Sequence, residues 1–209
     1  MSNSNGAPVS DLERIFLRTI TSLSGLMEIR DLYTLGHQNR ASDIARRIAN
    51  EMGLDATVVD GVRFGATLHD IGKIGIPSDI LNKPAKLDGE EYGLIKTHTT
   101  KGYTVLKGID FPWPVAEMVY QHHERLDGTG YPLGLAGDEI LLEAQIIGVA
   151  DTLDSINSYR PYRQGLGLEE AMRIIKEGAG SVFSTEVVDA CCRLAERKEM
   201  PLGQVEPGW

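Results

Sequence analysis

The sequence predicts an all-α fold, a helical bundle formed by one domain. Apolar residues recur at spacings of three and four over most of the 209 residues, and no stretch shows the sustained alternation of a half-buried strand. The composition, 42% apolar and 24% charged, is near the globular averages of about 45–50% and about 25%, so a buried core is expected. The net charge of −9 disfavours DNA, RNA and acidic membranes as partners.

Residues 1–10 are small and polar, which is typical of a disordered tail or the remainder of a linker. We therefore assign residues 11–209 to a single domain. No apolar run reaches the roughly 18 residues that a membrane-spanning helix needs, and residues 1–10 lack the regions of a signal peptide. We expect a soluble, cytoplasmic chain in which the adjacent Cys191 and Cys192 are reduced core residues.

Apolar periodicity predicts the first two helices. From Asp11 onward, spacings of three and four indicate one buried helix face. The residues expected on that face are Leu12, Ile15, Phe16, Ile20, Leu23 and Leu26. A second helix is predicted over residues 31–52, and it carries His37 and Arg40 one turn apart.

Capping residues predict the next two helices. Asp55 is a candidate N-cap for a helix that delivers the pair His69-Asp70 near its end. Residues 88–91 have the spacing of a capping box, and the helix that they open is expected to carry His98.

The C-terminal half is predicted to contain a long loop between helices. One helix ends in the pair His122-His123, and the glycine-rich and proline-containing residues 124–138 form a turn-rich loop of a length that usually has a function. A helix that is apolar on most of its circumference, and therefore buried, follows over residues 139–157. Two shorter helices are predicted over residues 168–177 and 185–197.

The five histidines all lie outside the polar tail: His37, His69, His98, His122 and His123. Taken singly, each is more often a satisfied core or surface residue than a metal ligand. The set is harder to dismiss, because His69-Asp70 and His122-His123 place metal-competent groups side by side on separate segments. The histidines therefore indicate a candidate metal site.

Asp151 lies on the most apolar of the predicted helices. Its carboxylate is expected in the interior, where an unpaired charge is costly, so it needs a cation. A basic side chain could supply that cation, and Arg125, Arg160 and Arg163 are the candidates. A metal ion shared with nearby imidazoles is the favoured alternative.

These motifs resemble those of the HD-GYP family of metal-dependent phosphohydrolases. Residues 69–73, His-Asp-Ile-Gly-Lys, resemble the HD motif, and residues 122–125 leading into Asp-Gly-Thr-Gly-Tyr-Pro at 127–132 resemble the defining signature of the family. Further matches lie at residues 34–40, 96–98, 149–151 and 158–163. The resemblance covers about residues 15–195.

The resemblance implies an HD-type helical domain that hydrolyses cyclic di-GMP, a bacterial second messenger, at a centre of two divalent ions. Carried over by position, one ion would be held by His37, His69, Asp70 and Asp151, and the second by Asp70, His98, His122 and His123. Imidazole and carboxylate ligands favour iron or manganese here and leave zinc and nickel open.

We hypothesise that a hydroxide bridging the two ions attacks phosphorus in line with the departing ribose oxygen. Asp70 would be catalytic as the shared ligand, and Lys73 as a contact to the scissile phosphate or the leaving oxygen. Arg160 and Arg163 resemble a second phosphate-binding pair of the family, since a guanidinium fits phosphate oxygens bidentately. The expected product is linear pGpG, and a second step to GMP is left open.

The turn Gly130-Tyr131-Pro132 resembles a loop that the family associates with partner domains, notably those that synthesise cyclic di-GMP. An upstream regulatory domain is a second expected partner, and a homodimer stays an open alternative. Relatives with three metals carry glutamate four residues before the first histidine, where this chain has Tyr33, so we do not expect a third ion. Many relatives have Phe-Asp-Pro where this chain has Phe183-Ser184-Thr185, and Ser184 can still cap the last helix.

Two alternatives to cyclic di-GMP hydrolysis remain open. The nearest is hydrolysis of a mixed cyclic dinucleotide or of a nucleoside phosphate, because the sequence contains no recognisable base-binding element. The other is a catalytically quiet effector that binds the nucleotide or a partner domain. A purely structural module would leave the clustered histidines unexplained.

Overall fold

The computed structural model describes residues 11–31, 36–158 and 165–201. Within these ranges lie ten α-helices: α1 (Asp11–Arg30), α2 (His37–Glu51), α3 (Ala56–Leu68), α4 (Ser78–Leu81), α5 (Gly89–Lys96), α6 (His98–Leu106), α7 (Val115–Gln121), α8 (Leu142–Asn157), α9 (Gly167–Glu177) and α10 (Thr185–Glu196). Two short 3-10 helices span Ile71–Gly75 and Gly137–Glu139. The described residues contain no β-strand, so the predicted all-α fold is confirmed.

Helix α8 is the centre of the bundle. Its residues 146–151 are all buried, and it packs against α2, α3, α7, α9 and α10. A helix that is apolar on most of its circumference is stable only where that apolar surface is buried in a core. Because Asp151 and Asp154 lie on this helix, the fold carries two carboxylates into the interior.

The buried face of α1 agrees with the prediction at Ile20 and departs from it at Leu26. The side chains of the other four predicted residues lie outside the described part of the chain: Leu12, Ile15, Phe16 and Leu23. Ile20, Ser24 and Met27 are buried, whereas Leu26 is 53% exposed. Successive helical residues are about 100° apart, so Leu26 lies well away from the face that Met27 buries. The prediction for Leu26 was wrong.

Helix α2 begins later than predicted. Gly36 adopts a left-handed conformation, with φ of 71°, and His37 is the first helical residue. A backbone in this region cannot continue a right-handed helix, so the chain enters α2 at the histidine itself. Asp55 does occupy the N-cap position of α3, as predicted, although its side chain makes no capping hydrogen bond.

The helix predicted to carry His98 is in fact two helices. The capping box of Asp88 and Glu91 is confirmed, but α5 ends at Lys96 and α6 begins at His98. At the junction the Thr97 N–H donates to a carbonyl three residues earlier, which tightens the turn. As a result His98 occupies the first position of a new helix, and α7 likewise ends just before His122.

Two glycines allow the segments of the site to approach closely. A β-carbon on Gly72 would lie 1.8 Å from the carbonyl oxygen of His98, and one on Gly148 would lie 2.6 Å from the carbonyl oxygen of His122. Neither contact is sterically possible, so no other residue type fits these positions without backbone movement. Glycine at these two positions therefore lets residues 69–73 pack against α6, and lets α8 pack against the end of α7.

The C-terminal helices form as predicted. The Ser184 hydroxyl accepts a hydrogen bond from Val187 N–H at the start of α10. Cys191 is buried and Cys192 is half-buried, and both are free thiols. Among the described helices, none combines the length and the apolar character that crossing a lipid bilayer requires.

Candidate metal centre

The seven predicted metal ligands converge in the structure. They come from five places in the chain: the start of α2 (His37), the turn after α3 (His69 and Asp70), the start of α6 (His98), the turn after α7 (His122 and His123) and the middle of α8 (Asp151). Six of the seven residues are buried, and His123 is half-buried. Helix ends and turns, rather than helix faces, therefore supply most of the site.

The first cluster of donor atoms lies around Asp151. His37 Nε2 is 3.2 Å from Asp151 Oδ1 and 3.9 Å from Asp70 Oδ2. His69 Nε2 is 3.3 Å from Asp70 Oδ2 and 3.8 Å from Asp151 Oδ1. Two imidazoles and two carboxylates thus direct their donor atoms to one small volume, which is a suitable ligand set for a transition metal.

The second cluster consists of His98, His122 and His123. The Nε2 atoms of His98 and His122 are 3.4 Å apart, and His98 Nε2 lies 3.6 Å from Asp70 Oδ1. His123 Nδ1 is 4.0 Å from Asp151 Oδ2. Asp70 directs one oxygen to each cluster, which is the geometry that a shared carboxylate ligand requires.

Backbone carbonyls fix the orientation of three imidazoles. The Nδ1–H groups of His69, His98 and His122 each donate to the carbonyl oxygen three residues earlier, at 2.7–2.8 Å. A carbonyl only accepts, so Nδ1 carries the proton and Nε2 presents its lone pair to the centre. This is the tautomer that binds a metal.

His69 tests whether the site fits a metal. Its Nε2 is buried and has no hydrogen-bond partner, although a carboxylate lies 3.3 Å away. Buried polar atoms are nearly always paired, and an unpaired one at the meeting point of four ligand groups is explained by an ion. The donor set and this unpaired atom both fit a divalent cation.

Burial and neighbouring charges keep four of the donors in their binding forms. Burial, followed by the neighbouring imidazoles, lowers the pKa of His122 well below its usual value, and burial does the same for His123. Burial opposes ionisation of Asp70 and Asp151, but adjacent cationic groups outweigh it and hold both pKa values well below the usual range. Neutral imidazoles and ionised carboxylates are the forms that ligate metals. His37 is the exception: burial lowers its pKa, but the hydrogen bonds and charges of Asp151 and Asp154 outweigh burial and raise the pKa to about 9, so His37 releases a proton when it binds an ion.

Lys73 lies beside the shared carboxylate, although α3 does not continue to it. The 3-10 helix Ile71–Gly75 brings its Nζ to 2.7 Å from Asp70 Oδ2 and 3.3 Å from Asp31 Oδ2. Burial works against the ammonium, but the charges of Asp70 and Asp31 outweigh it and raise the pKa of Lys73. Lys73 therefore supplies a fixed positive charge at the edge of the centre.

Asp154 orients one of the candidate ligands, and the sequence analysis did not identify this residue. Its fully buried carboxylate accepts from His37 Nδ1 at 2.7 Å and from Arg40 Nε at 2.7 Å. These bonds orient the His37 ring so that Nε2 faces Asp151. The available signal was a second carboxylate three residues after Asp151 on the same apolar helix.

Glu124, which the sequence signature contains without a stated role, organises the Gly130-Tyr131-Pro132 loop. Its buried carboxylate accepts hydrogen bonds from Leu133 N–H at 2.7 Å and Leu135 N–H at 3.1 Å. The Tyr131 ring stacks on His123 with 4.7 Å between centroids and an angle of 27°. The loop therefore forms one wall of the centre.

Arg125 makes no direct ion pair with Asp151, although the charge of Asp151 partly offsets the effect of burial, which lowers the pKa of Arg125. That guanidinium donates to the carbonyl oxygens of His122 and Glu124 and lies over the Phe183 ring. The other two candidates, Arg160 and Arg163, lie outside the described residues, as does Tyr33.

Comparison with known proteins agrees with the motif-based resemblance. The family model described as HD domain matches residues 22–187. A cyclic di-GMP phosphodiesterase of Thermotoga maritima is 42% identical over 187 residues, which cover 88% of this chain and 51% of the relative. A 3′3′-cGAMP-specific phosphodiesterase of Vibrio cholerae is 35% identical over 167 residues, which cover 80% and 36%.

The fold itself has a solved counterpart. The crystal structure of a cyclic GMP-AMP-specific phosphodiesterase of Vibrio cholerae superposes with a TM-score of 0.68 at 21% identity, over 87% of this chain and 49% of that one. The chain spans about half, or less, of the length of the curated relatives described above.

Proposed function

Because this chain belongs to the HD domain family, we propose that it is a metal-dependent phosphodiesterase that hydrolyses cyclic di-GMP to linear pGpG. The observation that carries the proposal is the convergence of five histidines and two aspartates on one small volume, with Asp70 facing both halves of it. The Thermotoga maritima relative, named a cyclic di-GMP phosphodiesterase, supports this choice of substrate.

The ligand sets follow the two clusters. His37, His69, Asp70 and Asp151 would hold one ion, and Asp70, His98, His122 and His123 would hold the other. We propose iron or manganese as the native metal, with zinc and nickel as alternatives that the same donors accept. When bound, such a pair of ions supplies an activated water nucleophile and neutralises charge on the phosphoryl group.

The residues of the chain position and polarise the substrate. Lys73 donates to Asp70 and Asp31, and its third N–H has no partner among the described residues, so it can donate to a phosphoryl or leaving oxygen. Arg160 and Arg163 are proposed to bind the phosphates bidentately. Tyr131 packs against His123 and shields it, and burial raises the pKa of its phenol, so it stays neutral.

The remaining proposals concern context. We propose a cytoplasmic location, and partners that include an upstream regulatory domain or a cyclic di-GMP-synthesising domain that contacts the Gly130-Tyr131-Pro132 turn. Hydrolysis of pGpG to GMP and self-association are left to measurement.

A mixed cyclic dinucleotide is the second candidate substrate. The Vibrio cholerae relative, named a 3′3′-cGAMP-specific phosphodiesterase, matches 80% of this chain and favours that alternative. Side-by-side turnover of the two dinucleotides separates the candidates.

The decisive experiment pairs elemental analysis with product chromatography. Protein purified under reducing conditions and loaded with iron or manganese should convert cyclic di-GMP to pGpG, and Asp70→Ala should lose both metal and turnover. Binding of the nucleotide without any product after long incubation would instead indicate a quiet effector. Undiminished turnover by Asp70→Ala would exclude this site.

A further inference from the structure

An open pocket of about 380 Å³ adjoins the metal centre on the side of His123 and Asp151. One wall is formed by α5, where Tyr92 and Lys96 are one helical turn apart and therefore lie on the same face. The proposed mechanism uses neither residue. Both are available to a substrate that occupies the pocket.

Lys96 is a cation without an acidic partner in the described part of the chain. Its Nζ lies 5.0 Å from the centroid of the Tyr92 ring and 5.1 Å from that of the Tyr131 ring. No hydrogen bond or ion pair occupies the Lys96 ammonium among the described residues, so its N–H donors are free for a ligand. Cation–π contacts hold the side chain in place without consuming those donors.

Tyr92 presents an aromatic surface at the same place. The residue is 48% exposed and lines the pocket, so part of its ring is accessible to a ligand there. Exposed aromatic rings beside a cation are the common way in which proteins stack on a nucleic acid base.

The pocket offers room for a base next to the centre. The Tyr131 ring contacts both a candidate ligand and the pocket cation: it stacks on His123 at 4.7 Å between centroids, and Lys96 Nζ lies 5.1 Å from its centroid. A dinucleotide whose phosphate binds at the centre extends beyond it by a ribose and a base, and the adjoining pocket that Tyr92 and Lys96 line is the space open to them.

We propose that Tyr92 and Lys96 form a guanine-binding subsite, in which the Tyr92 ring stacks on the base and Lys96 donates to O6 and N7. This inference rests on the proposed function and deepens it by naming the residues that select the base. Guanine offers two acceptors on that edge, whereas adenine has an amino donor in place of O6. An ammonium, which only donates, therefore favours guanine over adenine.

Calorimetry on the full, manganese-loaded chain tests the subsite with three probes: GMP, AMP and ribose 5-phosphate. The wild type should bind GMP about tenfold more tightly than ribose 5-phosphate, since stacking on an aromatic side chain commonly contributes that much. Tyr92→Leu should reduce this ratio towards one. Lys96→Met should remove the preference for GMP over AMP and leave the affinity for ribose 5-phosphate unchanged.

Lys107→Met is the matched control. Lys107 lies over the Tyr103 ring at 5.8 Å, also one helical turn away, but neither residue lines the pocket. Its three affinities should equal those of the wild type. Circular dichroism and manganese content verify that each variant is folded and loaded.

Two outcomes would overturn the subsite: unchanged GMP ratios in Tyr92→Leu and Lys96→Met, or an equal loss for all three probes in Lys96→Met, which would make Lys96 a phosphate ligand. These outcomes are distinct from failure of the proposed function. If the protein does not hydrolyse cyclic di-GMP, the affinities for GMP, AMP and ribose 5-phosphate can still be measured and compared. If it does hydrolyse cyclic di-GMP but the variants keep the wild-type affinity ratios, only the subsite is contradicted.

Discussion

Asp154→Asn removes the carboxylate that orients His37 while preserving the volume of the side chain. The carboxylate has no exposed surface, and it accepts hydrogen bonds from His37 Nδ1, from Arg40 Nε and, at 3.1 Å, from Arg40 Nη2. An amide presents one acceptor oxygen and one donor nitrogen, so it cannot satisfy all of these donors. The substitution therefore leaves a buried donor unpaired and releases the His37 ring.

The size of the effect follows from burial. Removing one partner of a buried ion pair typically costs about 3–5 kcal/mol. The Arg40 side chain is 25% exposed and can be partly hydrated, so we expect the free energy of unfolding to fall by less, about 2–3 kcal/mol. Loss of a residue that orients a ligand usually weakens metal binding about 10–100-fold.

Urea unfolding of the metal-free protein and chelator competition for manganese measure the two effects. Asp43→Asn is the control, because Asp43 also pairs with arginines, Arg46 at 2.7 Å and Arg47 at 3.1 Å, but its side chain is 34% exposed and far along α2 from His37. We expect this control to lose at most about 1 kcal/mol and no metal affinity. Equal manganese affinity in Asp154→Asn and wild type would refute the role assigned to Asp154.

Three further predictions concern packing, the loop and the thiols. Gly72→Ala should strongly lower the melting temperature and the metal content, because its β-carbon would meet a carbonyl oxygen at 1.8 Å. The control Gly93→Ala on α5, whose β-carbon would have no neighbouring atom within 4 Å, should be neutral or stabilising. A stable Gly72→Ala variant that retains its metal would contradict the packing. Glu124→Gln should speed hydrogen exchange at the loop amides that its carboxylate binds, and unchanged exchange would show that other contacts order the loop. Burial raises the pKa of Cys191 to about 12, so iodoacetamide at pH 8 should modify it only after unfolding, and mass spectrometry showing rapid alkylation of the folded chain would contradict its burial.

Much of the site could be predicted because its ligands belong to short, ordered motifs. His69-Asp70 and His122-His123 were expected to converge with Asp151, and the distances agree. The buried charge of Asp151 indicated only that a cation must be near, because an unpaired buried charge is costly. The assignment of these residues to one centre came from their resemblance to the HD-GYP motifs.

Other features depend on tertiary contacts that periodicity does not report. The break between α5 and α6 occurs at Thr97, without a glycine or proline to mark it. Lys96 lies over the ring of Tyr131, which is 35 positions away in the sequence, because the hydrogen bonds of Glu124 fix the loop that carries Tyr131. Asp154 is an intermediate case. The sequence predicted its position on α8, but not its hydrogen bonds with His37 and Arg40.

Anomalous diffraction from crystals of the manganese- or iron-loaded chain tests the central claim most directly. We predict two peaks, one among His37, His69 and Asp151 and one among His98, His122 and His123, with Asp70 between them. A single ion that leaves either histidine cluster without metal, or ions bound only at the surface, would contradict the account.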